Sequence, residues 1–146
     1  MIEIDVRAMR AEDASAVAAL STQLGYPSTP EQTARRFERI AGSADQLALV
    51  AETADRRVVG WVHFAPVFNL ESEPYLELTG LVVDAAHRSR GIGERLVHGG
   101  LVWAADSGFA EVRVRSNVVR ADAHRFYERL GFKLRKTQKV FARPLA

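Results

Sequence analysis

Apolar and polar residues alternate from Glu3 to Arg7, which predicts an opening strand. Over Glu12–Leu24 the period changes. Val17, Leu20 and Leu24 recur at helical spacing, and Gly25 can end the helix. After a turn at Pro27-Ser28, Thr29 is placed to cap a second helix, with Pro30 at its first position and Gln32 three residues past the cap. That helix runs through about Ile40 and ends near Gly42. Strands follow at Leu47–Glu52, Val58–Phe68 and Tyr75–Val83, the first two joined by a turn at Asp55-Arg56. Gly91–Ser107 reads as a helix, Glu111–Ser116 as a strand, Arg120–Leu130 as a helix and Lys133–Arg143 as a final strand. Ser72-Glu73-Pro74 is the expected flexible loop. The order βααβββαβαβ predicts an α/β (mixed α+β) fold in a single domain over residues 1–146.

Within this pattern one segment stands out for its chemistry. The apolar strand Leu81-Val82-Val83 runs into a short basic loop, and Arg88-Ser89-Arg90-Gly91-Ile92-Gly93 then opens an amphipathic helix. A helix start has unpaired N–H groups and the positive end of the helix dipole. Glycine lets an anion approach the backbone, and the arginines add fork-shaped donors. No Lys-Ser or Lys-Thr follows Gly93, so this is not a nucleoside triphosphate loop. Leu96 stands where a dinucleotide fingerprint has its third glycine.

Charge supports an anion site. Residues 1–87 carry 7 basic and 13 acidic side chains, and residues 88–146 carry 13 basic and 5 acidic, so a net +2 conceals a negative and a positive half. The chain has no cysteine, which excludes a thiol nucleophile, disulfides and cysteine-ligated zinc. His63, His87, His98 and His124 show no metal-ligand spacing and read as surface or boundary residues. There is no apolar run long enough for a membrane span and no signal-peptide pattern, so no membrane partner and a cytoplasmic location are expected. No nucleic-acid-binding motif accompanies the basic half. The Gly99-Gly100 pair inside a helix costs roughly 1 kcal/mol per residue against alanine, which close packing on the sheet or on a coenzyme would explain.

The Arg88-Ser89-Arg90-Gly91-Ile92-Gly93 run resembles the Arg/Gln-x-x-Gly-x-Gly/Ala signature of the GNAT superfamily of N-acetyltransferases. So do Leu81-x-Val83 before it, Asn117 just after a strand, and Phe126-Tyr127-Glu128-Arg129-Leu130-Gly131-Phe132. Ser89 departs from the glycine that many members have there. The resemblance implies a strongly twisted mixed sheet flanked by helices, with two central strands (about 76–83 and 111–116) splayed to admit the arm of acetyl-CoA. It implies that the backbones of Leu81, Val82 and Val83 meet that arm, that N–H groups from Ser89 to Glu94 cradle the pyrophosphate, and that Arg88 and Arg90 lie near the phosphates. Asn117 would face the arm.

By spacing alone, Tyr127 sits at the edge of the stripe formed by Ala123, Phe126 and Leu130 and reads as a boundary tyrosine. The resemblance instead implies an acid that protonates the departing thiolate. Glu77 is a candidate base, with a solvent-facing strand position as the alternative. The acceptor expected is a primary amine, either a small cationic amine or a peptide amine. Its pocket would be built from the second helix, the loop after Phe68 and the final strands. Tyr26, Phe37, Trp61, Phe68 and Tyr75 could line it, unless they are core, and Glu71, Glu73 and Glu77 could attract a cation. A homodimer would also suit the family, and a non-catalytic domain that binds the coenzyme is the other reading.

Overall fold

In the computed structural model, which describes residues 3–146, five strands pair in chain order into one sheet. They are β1 (Ile4–Ala8), β2 (Leu47–Thr53), β3 (Val58–Val67), β4 (Tyr75–Val83) and β5 (Val112–Val114). β1 to β4 pair antiparallel, and β5 runs parallel to β4. A parallel neighbour requires a long crossover, here supplied by α3 (Ile92–Asp106). Between β1 and β2 lie α1 (Ala14–Gln23) and α2 (Pro30–Ala41). These elements form one compact unit ending at Val114. Arg115–Ala146 forms a second, which contains α4 (Ala121–Arg129). Among the described residues no helix is long and apolar enough to cross a membrane.

The predicted start of α2 forms as its sequence dictates. Thr29 Oγ1 accepts from the Gln32 N–H, Gln32 Oε1 accepts from the Thr29 N–H, and Pro30 takes the first helical position. β4 matches its predicted bounds, and the other elements of the first unit form within a few residues of theirs.

The core lies between the sheet and its helices. Val50, Val59, Val62, Phe64 and Leu76 from the strands are fully buried, with Ile92, Leu96 and Val97 from α3. Phe64 packs against the backbone of Gly100, where a Cβ would lie 2.0 Å from its ring. The Gly99-Gly100 pair therefore marks a close approach of helix to sheet.

The final strand is a correction. Lys133–Arg143 forms no strand, and among the described residues no strand follows Val114. A strand exists only through a ladder to a neighbour, and alternation alone does not supply one. Leu134, Val140 and Phe141 are exposed. Lys133, Arg135, Lys136, Lys139 and Arg143 punctuate the segment with charge of one sign, which favours solvation. The second unit is ordered around α4 instead. There the Tyr127 ring meets Phe126 and Phe132 edge-on at 5.2 and 5.7 Å.

Candidate active site

β4 is the strand on which the site is built. Its ladder to β5 holds only the pairs Leu76–Val112, Glu77–Arg113 and Leu78–Val114. Beyond Leu78, β5 no longer accompanies β4, so residues 79–83 present one backbone edge that β5 leaves open. The splay expected between strands 76–83 and 111–116 corresponds to this parting, although β5 is the edge of the sheet and not a central strand. It coincides with a β-bulge: His63 pairs with Gly80 but Phe64 with Leu78, so Thr79 is the extra residue.

β4 leads into the Arg88–Gly93 loop through a single 3₁₀ turn, Ala85–His87. The loop then makes two left-handed steps, Ser89 at φ 64° and Gly91 at φ 77°. Gly91 caps α3, and no side chain closes that cap. The first helical hydrogen bond runs from the Arg95 N–H to the Gly91 carbonyl at 3.1 Å. The N–H groups of Ile92, Gly93 and Glu94 therefore precede the helical ladder and have no carbonyl acceptor within it. Arg88, Ser89, Arg90 and Gly91 are all exposed. This donor set of helix N–H groups beside two guanidinium groups fits a pyrophosphate. Ser89 retains its N–H but, unlike a glycine, holds a left-handed conformation against its Cβ.

The loop is anchored from a distance. Gln23, the last residue of α1, donates from Nε2 to Asp84 Oδ1 at 2.9 Å and accepts from the Ala85 N–H at 2.8 Å. His87 Nδ1 lies 2.6 Å from Asp84 Oδ2. Hydrogen bonds from Gln23 and then His87 hold the Asp84 carboxyl below the usual carboxylate range. Sequence reasoning missed this lock. Gln23 and Asp84 are 61 residues apart, and no local pattern links them. His87 is accordingly a half-buried partner of Asp84, not a loose surface histidine.

Other predicted residues fall as follows. Leu81, Val82 and Val83 occupy the part of β4 that β5 leaves open. Glu77 lies on β4 four residues before Leu81, about 13 Å along the strand, half-buried and in register with Arg113. In the second unit, Asn117 is a turn residue. Its Oδ1 accepts from the Val119 N–H at 3.1 Å, and its carbonyl accepts from the Arg120 N–H and from His124 Nε2. Tyr127 is half-buried, and burial raises its phenol above the ordinary value, with Arg120 opposing. A raised phenol keeps its proton at neutral pH.

The proposed acceptor lining is divided by the structure. Tyr75 is buried, with the Arg113 guanidinium 3.8 Å above its ring, and belongs to the core. Trp61 lies over Gly80. Tyr26 and Phe68 are exposed and Phe37 is half-buried. Phe68 and Glu73 share a cavity with Trp103 and Phe109 at the far end of α3, roughly 20 Å along the helix from the phosphate loop. Asn69 Oδ1 accepts from the N–H groups of Glu71 and Ser72, at the start of the loop expected to be flexible. On α2, Arg35, Arg36 and Arg39 line a shallow groove.

A mixed sheet whose β4 and β5 part beside an open, glycine-capped helix start has the elements needed to hold a phosphate-bearing coenzyme. Comparison with known proteins names the class. A family model described as the acetyltransferase (GNAT) family matches residues 14–132. Human N-acetyltransferase 8 is 38% identical over 93 residues, covering 63% of this chain and 40% of that protein. A Bacillus subtilis protein named uncharacterized N-acetyltransferase YhdJ is 35% identical over 86 residues, 58% of each chain. The aminoglycoside N-acetyltransferase AAC(6')-Iy, solved in complex with CoA, shares the fold with a TM-score of 0.84 at 19% identity, covering 100% of this chain and 97% of that one. The aminoglycoside 6'-N-acetyltransferase AAC(6')-Ih from Acinetobacter baumannii does so at 0.85 and 18% identity, covering 99% and 100%. The chain spans 40% of the length of the human relatives it matches. It belongs to the GNAT acetyltransferase family.

Proposed function

We propose that this protein transfers the acetyl group of acetyl-CoA to a primary amine, with a small molecule as the first acceptor class to test and a peptide amine as the second. The observation that carries the reading is the open start of α3, with its left-handed Ser89 and Gly91, directly downstream of the β4 edge that β5 leaves open. The N–H groups of Ser89 to Glu94, with Arg88 and Arg90, would bind the pyrophosphate. The backbones of Leu81 to Val83 would pair with the pantetheine arm like an added strand, as peptides add to sheet edges. Asn117 would face the arm. The aminoglycoside enzymes that share the fold are named for acetylation at nitrogen, which supports a small-molecule amine.

The reaction is a direct transfer. The neutral amine attacks the thioester carbonyl, the carbonyl oxygen gains charge, and backbone N–H groups near Leu81 and Val82 stabilise it. Collapse breaks the carbon–sulfur bond, and Tyr127 protonates the thiolate. The raised phenol of Tyr127 suits a group that must hold its proton until the thiolate forms. Tyr127→Phe should lower kcat about 10²-fold while leaving the affinity for acetyl-CoA unchanged, as read by steady-state kinetics beside calorimetric titration. Equal kcat in the two proteins would remove Tyr127 from the mechanism.

Coenzyme binding itself is tested by melting the protein with acetyl-CoA, ATP or NADPH. At 100 times its dissociation constant a ligand adds about 2.7 kcal/mol. That corresponds to a rise of roughly 5–10 °C for a chain of this size. The rise is expected with acetyl-CoA alone, and an equal rise with all three would leave only a generic anion site. Glu71, Glu73 and Glu77 predict faster turnover of cationic than neutral amines, and a panel showing no preference would remove them from acceptor recognition.

A further inference from the structure

Direct transfer leaves one task without an assigned group beyond the candidate Glu77: the attacking nitrogen must lose a proton. Thr79, the extra residue of the β-bulge, stands where the β4–β5 ladder ends, two residues and about 7 Å along the strand from Leu81. Its side chain is exposed, and its Oγ1 lies 2.7 Å from His63 Nδ1. On the other side of the ring, His63 Nε2 lies 2.8 Å from Gln46 Oε1. Phe64 faces α3 through Gly100. Its neighbour His63 therefore points to the opposite face of the sheet, and Thr79 with it.

We propose that Gln46, His63 and Thr79 form a proton relay for the acceptor amine, with Thr79 as the catalytic group and His63 and Gln46 as positioning residues behind it. The inference rests on the acetyl-transfer reading above. The Gln46 carbonyl oxygen can only accept, so the imidazole carries its proton on Nε2 and leaves the Nδ1 lone pair facing Thr79. The hydroxyl proton goes to Nδ1 at 2.7 Å and not to the His63 carbonyl at 3.2 Å. The oxygen lone pairs of Thr79 are then turned to the open side of β4.

The amine nitrogen bonds to the thioester carbon and becomes positively charged. Its proton passes to Thr79 Oγ1 as the hydroxyl proton passes to His63 Nδ1, and the imidazole becomes imidazolium. Collapse releases the thiolate, which is protonated separately, and His63 returns its extra proton to water. The products are the amide and the free thiol. Burial holds the His63 imidazole below its ordinary value, so the ring is neutral and able to accept at physiological pH.

The test begins with wild-type turnover and coenzyme affinity, measured separately. A protein that binds acetyl-CoA but acetylates no amine overturns the transfer reading, and the relay with it. With turnover established, Thr79→Val and His63→Gln should each lower kcat about 10²-fold with coenzyme affinity held within about twofold, and Thr79→Ser should restore most of the rate. Nitrogen-15 NMR of the His63 ring gives a readout independent of activity. The Nε2–H tautomer is expected, with the Nδ1 resonance moving in Thr79→Val. A ring protonated on Nδ1 overturns the proposal. So does a kcat within about threefold of wild type in both variants. A larger loss in Glu77→Gln than in Thr79→Val also overturns it, by assigning the proton transfer to Glu77.

Discussion

Gly100→Ala should lower the melting temperature by roughly 4–8 °C, whereas Gly99→Ala should leave it nearly unchanged. A Cβ at Gly100 would lie 2.0 and 2.1 Å from the Cε2 and Cζ atoms of Phe64, whose ring is fully buried and walled in by the core. Neither ring nor helix can retreat without opening packing elsewhere. Overpacking of this kind costs about 1–3 kcal/mol and occasionally more. Alanine's helix preference returns about 1 kcal/mol, so a net loss of about 2 kcal/mol is expected, taken from the upper end of the overpacking range because the contact is so short. At Gly99 the first atom met is Leu49 Cδ1 at 3.0 Å, the far end of a flexible side chain that can turn aside. The helix preference then roughly cancels a small packing cost. Thermal melts of the two variants side by side check the argument, and equal melting temperatures would contradict the packing of α3 on β3 described above.

Asp13→Ala should cost about 3 kcal/mol near neutral pH, the low end for breaking a buried ion pair. Asp13 is buried and receives a two-pronged pair from Arg7, at 2.8 and 2.9 Å, and the Arg10 N–H at 2.8 Å. Removing it strands a half-buried guanidinium, which keeps Glu52 at 2.9 Å as its remaining carboxylate. Burial alone would raise the Asp13 carboxyl. The hydrogen bonds from Arg7 and Arg10 outweigh burial and hold the carboxyl below its ordinary value. The folded state thus binds this proton less readily than the unfolded chain does. The stabilisation is complete above the unfolded carboxyl's value of about 3.9 and is lost as pH falls through the lower folded value. Urea midpoints at neutral and acid pH should converge between wild type and Asp13→Ala as the medium becomes acidic. A constant gap down to the lowest pH would show that Asp13 acts by packing and not by charge.

Much of the fold was legible because it is written in local chemistry. The capping box at Thr29 and Gln32 depends on four consecutive residues and formed as predicted. β4 matched its predicted bounds because its apolar and β-branched side chains and its flanking proline and aspartate are all in the segment itself. The glycine-capped start of α3 was legible for the same reason. Gly91 in a left-handed conformation at the head of α3 is a local requirement of backbone geometry. What failed was the element that depends on a partner. Lys133–Arg143 alternates, but alternation describes how a strand would present its faces and not whether a neighbour offers a ladder.

The same division runs through the site. By itself the sequence determined the order of elements as far as α4, the start and cap of α2, the glycine-opened start of α3, and the likeness to acetyltransferases that the family comparison bore out. Only the tertiary structure decided that Gln23 reaches 61 residues along the chain to lock Asp84, that Arg7 joins Asp13 to Glu52, and that Gln46, His63 and Thr79 line up across two strands and a loop. The reason is physical. A backbone turn or a cap is satisfied by atoms a few residues away, so its residues carry their own signature. A buried polar side chain takes whichever partner the packing of distant segments brings within about 3 Å, and that choice leaves no mark on the neighbouring sequence.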